Sequence, residues 1–206
     1  DAELQAYNSG DINVFAVSEA NGFLADADAD AVGIHQDAFV FDDAQLYADN
    51  PTSSSIAVAA VASASGFNAY ADADAAGIDQ FASGHTVDIQ AVNDGVIEAT
   101  AEAYANASSS NATADARSVG IAQGAFPTRS LSEASDGSVN LYALNDSEGV
   151  IAVAAEAYAS GFDANAESYA GGIVQQGVAR GAVTADVDNH GSIYVSSMAT
   201  AEGFDA

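Results

Sequence analysis

Carboxylates at regular spacing are the side chains best placed to do chemistry in this sequence. One lies five residues before the glycine of a recurring Gly-Ile-x-Gln motif in each copy: Asp28, Asp72, Asp115 and Glu167. Asp26, Asp30 and Asp74 extend the row at two-residue spacing. Such hard oxygen ligands suit Ca2+, which takes roughly six to eight oxygens. Alternate residues of a strand lie about 6.8 Å apart, too far for two carboxylates to clamp one ion unaided. These seven residues therefore read first as a solvated acidic stripe. Their functional alternative is cation binding between neighbouring coils or chains.

Other chemistries find less support. Asp26, Asp28 and Asp30 have the spacing of the first EF-hand ligands, but Ala31 stands where that loop needs glycine. His35, His85 and His190 share no metal-ligand spacing. Gly-x-Ser-x-Gly, P-loop and Rossmann fingerprints do not occur. Polysaccharide lyases need basic residues to handle uronates, and only Arg117, Arg129 and Arg180 exist. The reading is non-enzymatic. Thirty acidic residues against 3 basic ones leave a charge of −27, which repels nucleic-acid phosphates and anionic membranes. Cysteine is absent, so disulfides and thiolate sites are excluded. No apolar run is long enough for a membrane-spanning helix.

The elements that position these residues repeat. Isoleucines recur at Ile12, Ile34, Ile56, Ile78, Ile97, Ile121, Ile151, Ile173 and Ile193, most often 22 residues apart. Two types of step alternate. One runs Ile56-Ala-Val58-Ala-Ala60 and returns as Ile151-Ala-Val153-Ala-Ala155. The other opens with Gly-Ile-x-Gln and closes on a strand ending in Asn, as in Val87 to Asn93. Within each step apolar and polar residues alternate with a period of two. Ile97, Ala99, Ala101, Ala103 and Ala105 take one face, and Glu98, Thr100, Glu102, Tyr104 and Asn106 the other. That is the strand period, and it overrides alanine's preference for helix. The expected fold is all-β: a β-solenoid of about nine coils of ~22 residues in a two-coil super-repeat of ~43 residues. A β-propeller-like repeat array is the alternative. One repeat domain spans residues 1–206, with a surface insertion near 127–136, and both ends fall mid-repeat.

Two sets of amides recur once per super-repeat. Gln36, Gln80, Gln123 and Gln175 share the parity of the preceding isoleucine, so they should point inward and stack as a structural amide ladder. Asn8, Asn50, Asn93, Asn145 and Asn189 precede turns and read as a second ladder that shapes those turns. Outward tyrosines Tyr70, Tyr104, Tyr158 and Tyr169 cover alanine surface or offer a contact stripe. Asn106, Asn111 and Asn145 stand in N-glycosylation sequons.

The Gly-x-Ile-x-Val-x-Ala-x-Ala pattern with Asn-x-Gly turns resembles the β-solenoid repeats of filamentous-haemagglutinin-like and other large repetitive extracellular adhesins or fibre proteins. The likeness spans nearly the whole chain and is one of pattern; no binding motif transfers. It implies an extracellular or cell-surface structural role. The expectation is a subunit of a fibre or matrix that stacks on itself head-to-tail by strand-edge pairing, because half-coils at the two ends could complete one rung. The alternative is a stalk segment of a surface adhesin that binds cations. Further partners would be other surface or matrix proteins or glycans, with no nucleic acid and no membrane span. No cofactor other than Ca2+ is expected.

Overall fold

The computed structural model describes residues 1–127, 137–179 and 181–203. It contains twelve strands and, among the described residues, no helix: β1 Ala2–Tyr7, β2 Asp11–Phe39, β3 Asp43–Asn50, β4 Ser55–Gly84, β5 Thr86–Asn93, β6 Val96–Ala107, β7 Asn111–Pro127, β8 Ser138–Asn145, β9 Val150–Ser160, β10 Asp163–Gly177, β11 Val183–Asn189 and β12 Ser192–Glu202. The insertion expected near 127–136 lies outside the described residues beyond Pro127.

All pairings are parallel. The short strands form one sheet in the order β1-β3-β5-β8-β11. The longer strands form a second sheet, β10-β7-β4-β6-β9-β12, with β2 paired to β4. β2 and β4 each supply two segments of this sheet, whereas β6 with β7, and β9 with β10, follow the same path broken by a turn. Parallel ladders exclude the antiparallel blades of the propeller alternative.

The spacing of stacked partners corrects the sequence reading. Ile12 pairs with Ile56, Ile56 with Ile97, Ile97 with Ile151 and Ile151 with Ile193. Ile34, Ile78, Ile121 and Ile173 form a separate ladder. Partners therefore lie 41 to 44 residues apart, not 22, and 52 to 54 apart where the 127–136 segment intervenes. The 22-residue step is the distance between two faces of one layer, each carrying its own isoleucine. The short-strand sheet has five layers rather than nine, which at about 4.8 Å per layer makes a stack about 20 Å thick.

Alternation sets the core. The inward rows of the larger sheet are alanine with isoleucine and valine: Ile97, Ala99, Ala101, Ala103 and Ala105 are all at most 1% exposed. Its two halves face each other across this alanine layer, and the small side chains allow close approach. The short-strand sheet closes the third side with larger residues, Leu46, Ile89 and Leu141, packed on Ala38, Ala82 and Ala125.

The glycine of Gly-Ile-x-Gln has a packing reason. A Cβ on Gly77 would overlap Ile97 Cγ2 and lie 2.6 Å from the carbonyl oxygen of Gly120. Gly33, Gly120 and Gly172 face Ile56, Ile151 and Ile193 in the same way. Each glycine thus makes room for the isoleucine on the opposite face. No glycine has positive φ, so close approach, not backbone conformation, selects the residue.

Candidate functional site

The features most able to carry function are rows that run along the stack. Two lie inside it. Gln80 Nε2 donates to Gln36 Oε1 at 2.8 Å, Gln123 Nε2 to Gln80 Oε1 at 3.0 Å, and Gln175 Nε2 to Gln123 Oε1 at 2.8 Å. The second hydrogen of each amide goes to a backbone carbonyl of the short-strand sheet: Tyr47, Gln90, Tyr142 and Asp186. The glutamines thereby tie the long strands to the short ones. Gln80 and Gln123 are fully enclosed, and every hydrogen of their amides is used.

The asparagines form the second row. Asn8 Nδ2 donates to Asn50 Oδ1 at 2.8 Å, Asn50 to Asn93 at 2.7 Å, Asn93 to Asn145 at 2.8 Å and Asn145 to Asn189 at 2.8 Å. Each of these four amides also reaches the carbonyl that opens a strand one layer on: Ser55, Val96, Val150 and Ser192. Among the described residues, the expected bond from Asn to its own chain two residues on is found only at Asn8, whose Oδ1 accepts from Gly10 N at 3.1 Å. Elsewhere the side chain links layers, and two asparagines also bond within their own turns: Asn145 Nδ2 donates to Gly149 O at 3.3 Å and Asn50 Oδ1 accepts from Ser54 Oγ at 2.9 Å.

The two ladders run in opposite senses. Along the chain direction each asparagine donates forward to the following layer, and each glutamine donates backward to the preceding one. Their amide dipoles therefore oppose each other along the stack.

The acidic row lies outside. Asp28, Asp72, Asp115 and Glu167 are partners in register across β2, β4, β7 and β10. Stacking thus brings the carboxylates closer than spacing along a strand does. In the next row Asp30 and Asp74 align with Arg117 and Tyr169, and Asp26 aligns with Tyr70. Burial raises the Asp72 carboxyl above its usual range; the Tyr70 hydrogen bond opposes that shift and the charges of Asp28 and Asp30 reinforce it. Asp115 is raised by burial and then by Glu167 and Asp72. Asp74 is raised by burial and by Asp72, with Arg117 pulling the other way. Among the described residues no three of His, Asp or Glu converge to hold a metal ion.

Tyrosines donate to carboxylates both in this row and on the β6–β9–β12 face. Tyr70 donates to Asp72 Oδ2 at 3.3 Å and Asp115 Oδ2 at 3.4 Å, and burial together with those carboxylates pushes its phenol up to about 12. Tyr104 donates to Glu102 at 3.1 Å and is likewise pushed up to about 12, by burial first. Tyr158 donates to Glu202 at 2.9 Å. Tyr169 lies under the Arg117 guanidinium, 5.9 Å from it.

Of the three sequons, Asn106 and Asn111 are exposed. Asn145 is not an acceptor in the folded chain: it is fully buried and its amide hydrogens are committed to the ladder. Several rows escaped the sequence reading. Phe23 stacks on Phe67 at 4.7 Å and 10°, and Phe39, Phe81 and Phe126 form a chain of ring contacts at 5.5 Å each. The recurring Gly-Phe pairs at 22, 66 and 161 were the available signal for the first of these. His35 bridges Asp37 and Asp79 at 3.0 and 3.1 Å, a contact across layers that no linear spacing announces.

No protein-family model, no curated protein and no solved structure matches the chain.

Proposed function

We propose that this chain is a structural subunit of an extracellular fibre or matrix. It is a β-solenoid of ~43-residue coils that stacks head-to-tail through its open strand edges. One observation carries the reading. The inward rows stay in register along each face, and strands β1 and β2 on one side and β10, β11 and β12 on the other have a sheet partner on one side only. Unpaired edges of this length template further pairing, and among the described residues their inward rows hold neither proline nor a charge; their carboxylates all lie on the outward rows. A stalk segment of a larger surface adhesin is the second reading, favoured by the same continuity if the following layers come from one longer chain. The role is structural rather than catalytic, and Ca2+ would serve as counter-ion to the acidic row.

Electron microscopy and fibre diffraction of purified protein, with and without a calcium chelator, test this. Long thin fibres with a meridional repeat near ~4.8 Å support the fibre reading. Dissolution on chelation adds the cation to it. Short isolated rods at every concentration would refute it in favour of the stalk.

A further inference from the structure

Three phenylalanines follow one another along the outside of the large sheet. Phe39, Phe81 and Phe126 come from successive layers, on β2, β4 and β7. Their rings meet in turn at 5.5 Å, the first pair inclined by 39° and the second by 27°. Small residues make room for this. Gly124 stands in register with Phe81, and Ser83 with Phe39 and Phe126. A Cβ on Gly124 would come to 3.0 Å from the Phe81 ring. The core does not account for these rings. They have the outward parity, since Ala38, Ala82 and Ala125 beside them are the buried residues. Phe39 is 69% exposed, and Phe41 beyond it 73%. Because the rings face outward, a further layer on either edge of the sheet would lengthen the ladder without covering it.

One flank of the ladder is anionic. Asp37 is in register with Phe81, one strand spacing of about 4.8 Å away. Asp79 precedes Phe81 by two residues on the same outward parity, about 6.8 Å along the strand. His35 joins the two carboxylates at 3.0 and 3.1 Å, so even a protonated imidazole leaves the cluster net negative. The sequence holds no lysine, and Arg117 lies over Tyr169 in the row of Asp30 and Asp74.

We propose that this ladder is a binding site for a planar aromatic cation of small-molecule size, laid along the stack axis. Charge selects the sign of the occupant. Asp37 and Asp79 attract a cation, the chain's charge of −27 repels an anion, and a positive charge spread over a ring also gains from the faces of phenylalanines. Dimensions select its size. Phe39 to Phe126 spans two layer spacings, about 10 Å, and the two outward rows that hold the rings lie about 7 Å apart. That is the footprint of two or three linked rings, which stack offset on the exposed phenylalanines and bury apolar surface on both sides. A stable protein partner needs roughly 800 Å2 on each side, more than three rings supply. The site goes beyond the structural role above and does not depend on it, since the ladder is complete within one chain.

Thioflavin T, itself a planar aromatic cation, is the probe. It is titrated into protein held below the concentration of assembly and followed by fluorescence and calorimetry. One site per chain is expected, with affinity that falls as salt rises. The aromatic anion 8-anilinonaphthalene-1-sulfonate should bind about tenfold more weakly or worse. Phe81→Ser removes the central ring and should weaken thioflavin T about tenfold. Asp37→Asn with Asp79→Asn leaves all three rings in place and should weaken it about threefold or more while flattening the salt dependence. Phe67→Ser, in the separate Phe23–Phe67 pair, should change nothing. Absence of binding, equal binding of the anion, affinity unmoved by Phe81→Ser or by the aspartate pair, or loss in Phe67→Ser instead would each overturn the site. None of these results bears on the fibre reading, which microscopy decides separately.

Discussion

Truncation at the centre of the asparagine ladder should cost far more than truncation at its edge. Asn93 accepts from Asn50 Nδ2 at 2.7 Å and donates to Asn145 Oδ1 at 2.8 Å and to Val150 O at 3.4 Å. Asn93→Ala removes all three bonds. It also strands one hydrogen of Asn50, which is 0% exposed and has no water to turn to. Three bonds at about 1 kcal/mol each, plus an orphaned buried donor at about 1–3 kcal/mol, give a loss of about 4–6 kcal/mol. Asn189→Ala removes only the acceptor of Asn145 at 2.8 Å, and at an exposed edge water can replace it. Its cost should stay near or below about 1 kcal/mol. Urea denaturation at concentrations below assembly measures both, with the slope checked for constancy so that midpoints report stability. Asn93→Asp sharpens the comparison. An ionised carboxylate cannot donate to Asn145, so this variant should be weakest at neutral pH and recover on acidification as it regains an O–H. Equal losses at positions 93 and 189, or a loss below about 1 kcal/mol at Asn93, would show that the ladder decorates the stack without stabilising it.

Three further outcomes follow from the geometry. Asp72, Asp74 and Asp115 have carboxyls raised above their ordinary 3.8 in the folded chain, so folding takes up protons; stability should climb as the pH falls from neutral through the raised values and level off below 3.8, and a denaturation midpoint that drops steadily from pH 8 to 5 would contradict this. Tyr70→Phe deletes the donor shared by Asp72 and Asp115, so both carboxyls should titrate at still higher pH, and a carbon-detected NMR titration showing no movement or a downward one would count against the Tyr70 contacts. Gly77→Ala must displace Ile97 or the Gly120 carbonyl and should cost about 1–3 kcal/mol or more, whereas Ala at Gly10, which has nothing within 4 Å, should cost well under that; equal effects by thermal melting would deny the packing role assigned to the motif glycine.

Period-two alternation made the strands and the inward alanine rows legible from residues alone. Ile97 to Ala105 are buried as the pattern demanded, because each alternate residue meets the opposite half of the sheet. The inward glutamines followed from the same parity. Which isoleucine stacks on which did not follow. Ile12 and Ile34 look alike in sequence, and only the third face, built by strands such as Asp43–Asn50, shows that the chain must pass both before it returns to the same place. A shorter strand of different inward residues, Leu46 in place of alanine, was the clue to that third face. How close the carboxylates stand across strands was hidden for a related reason: spacing along a strand is visible in sequence, whereas spacing between strands depends on the pairing register. Contacts such as His35 to Asp79 were hidden in the same way.

A charge of −27 would seem to oppose the proposed stacking, yet its placement is compatible with growth along one axis. Two like charges about 5 Å apart in water repel by roughly 0.8 kcal/mol, and salt reduces this further. Successive layers meet that repulsion along the row of Asp28, Asp72, Asp115 and Glu167, where Tyr70 already supplies a donor and Arg117 a neighbouring positive charge, and again where Glu102 lies in register with Glu156. Against it stand two ladder bonds, two bonds to strand-opening or short-strand carbonyls, and the burial of alanine and isoleucine rows. At about 1 kcal/mol per bond, the hydrogen bonds alone outweigh the repulsion along the stack axis. Sideways the comparison reverses. The outer faces carry carboxylates, and the whole chain has no lysine and only three arginines to pair with them on a neighbouring rod. In the proposed fibre, axial contact is therefore attractive and lateral contact repulsive, which favours thin, separate rods over sheets or bundles at low ionic strength. High salt or a divalent cation would screen the faces without touching the ladders, so rods should then associate side by side.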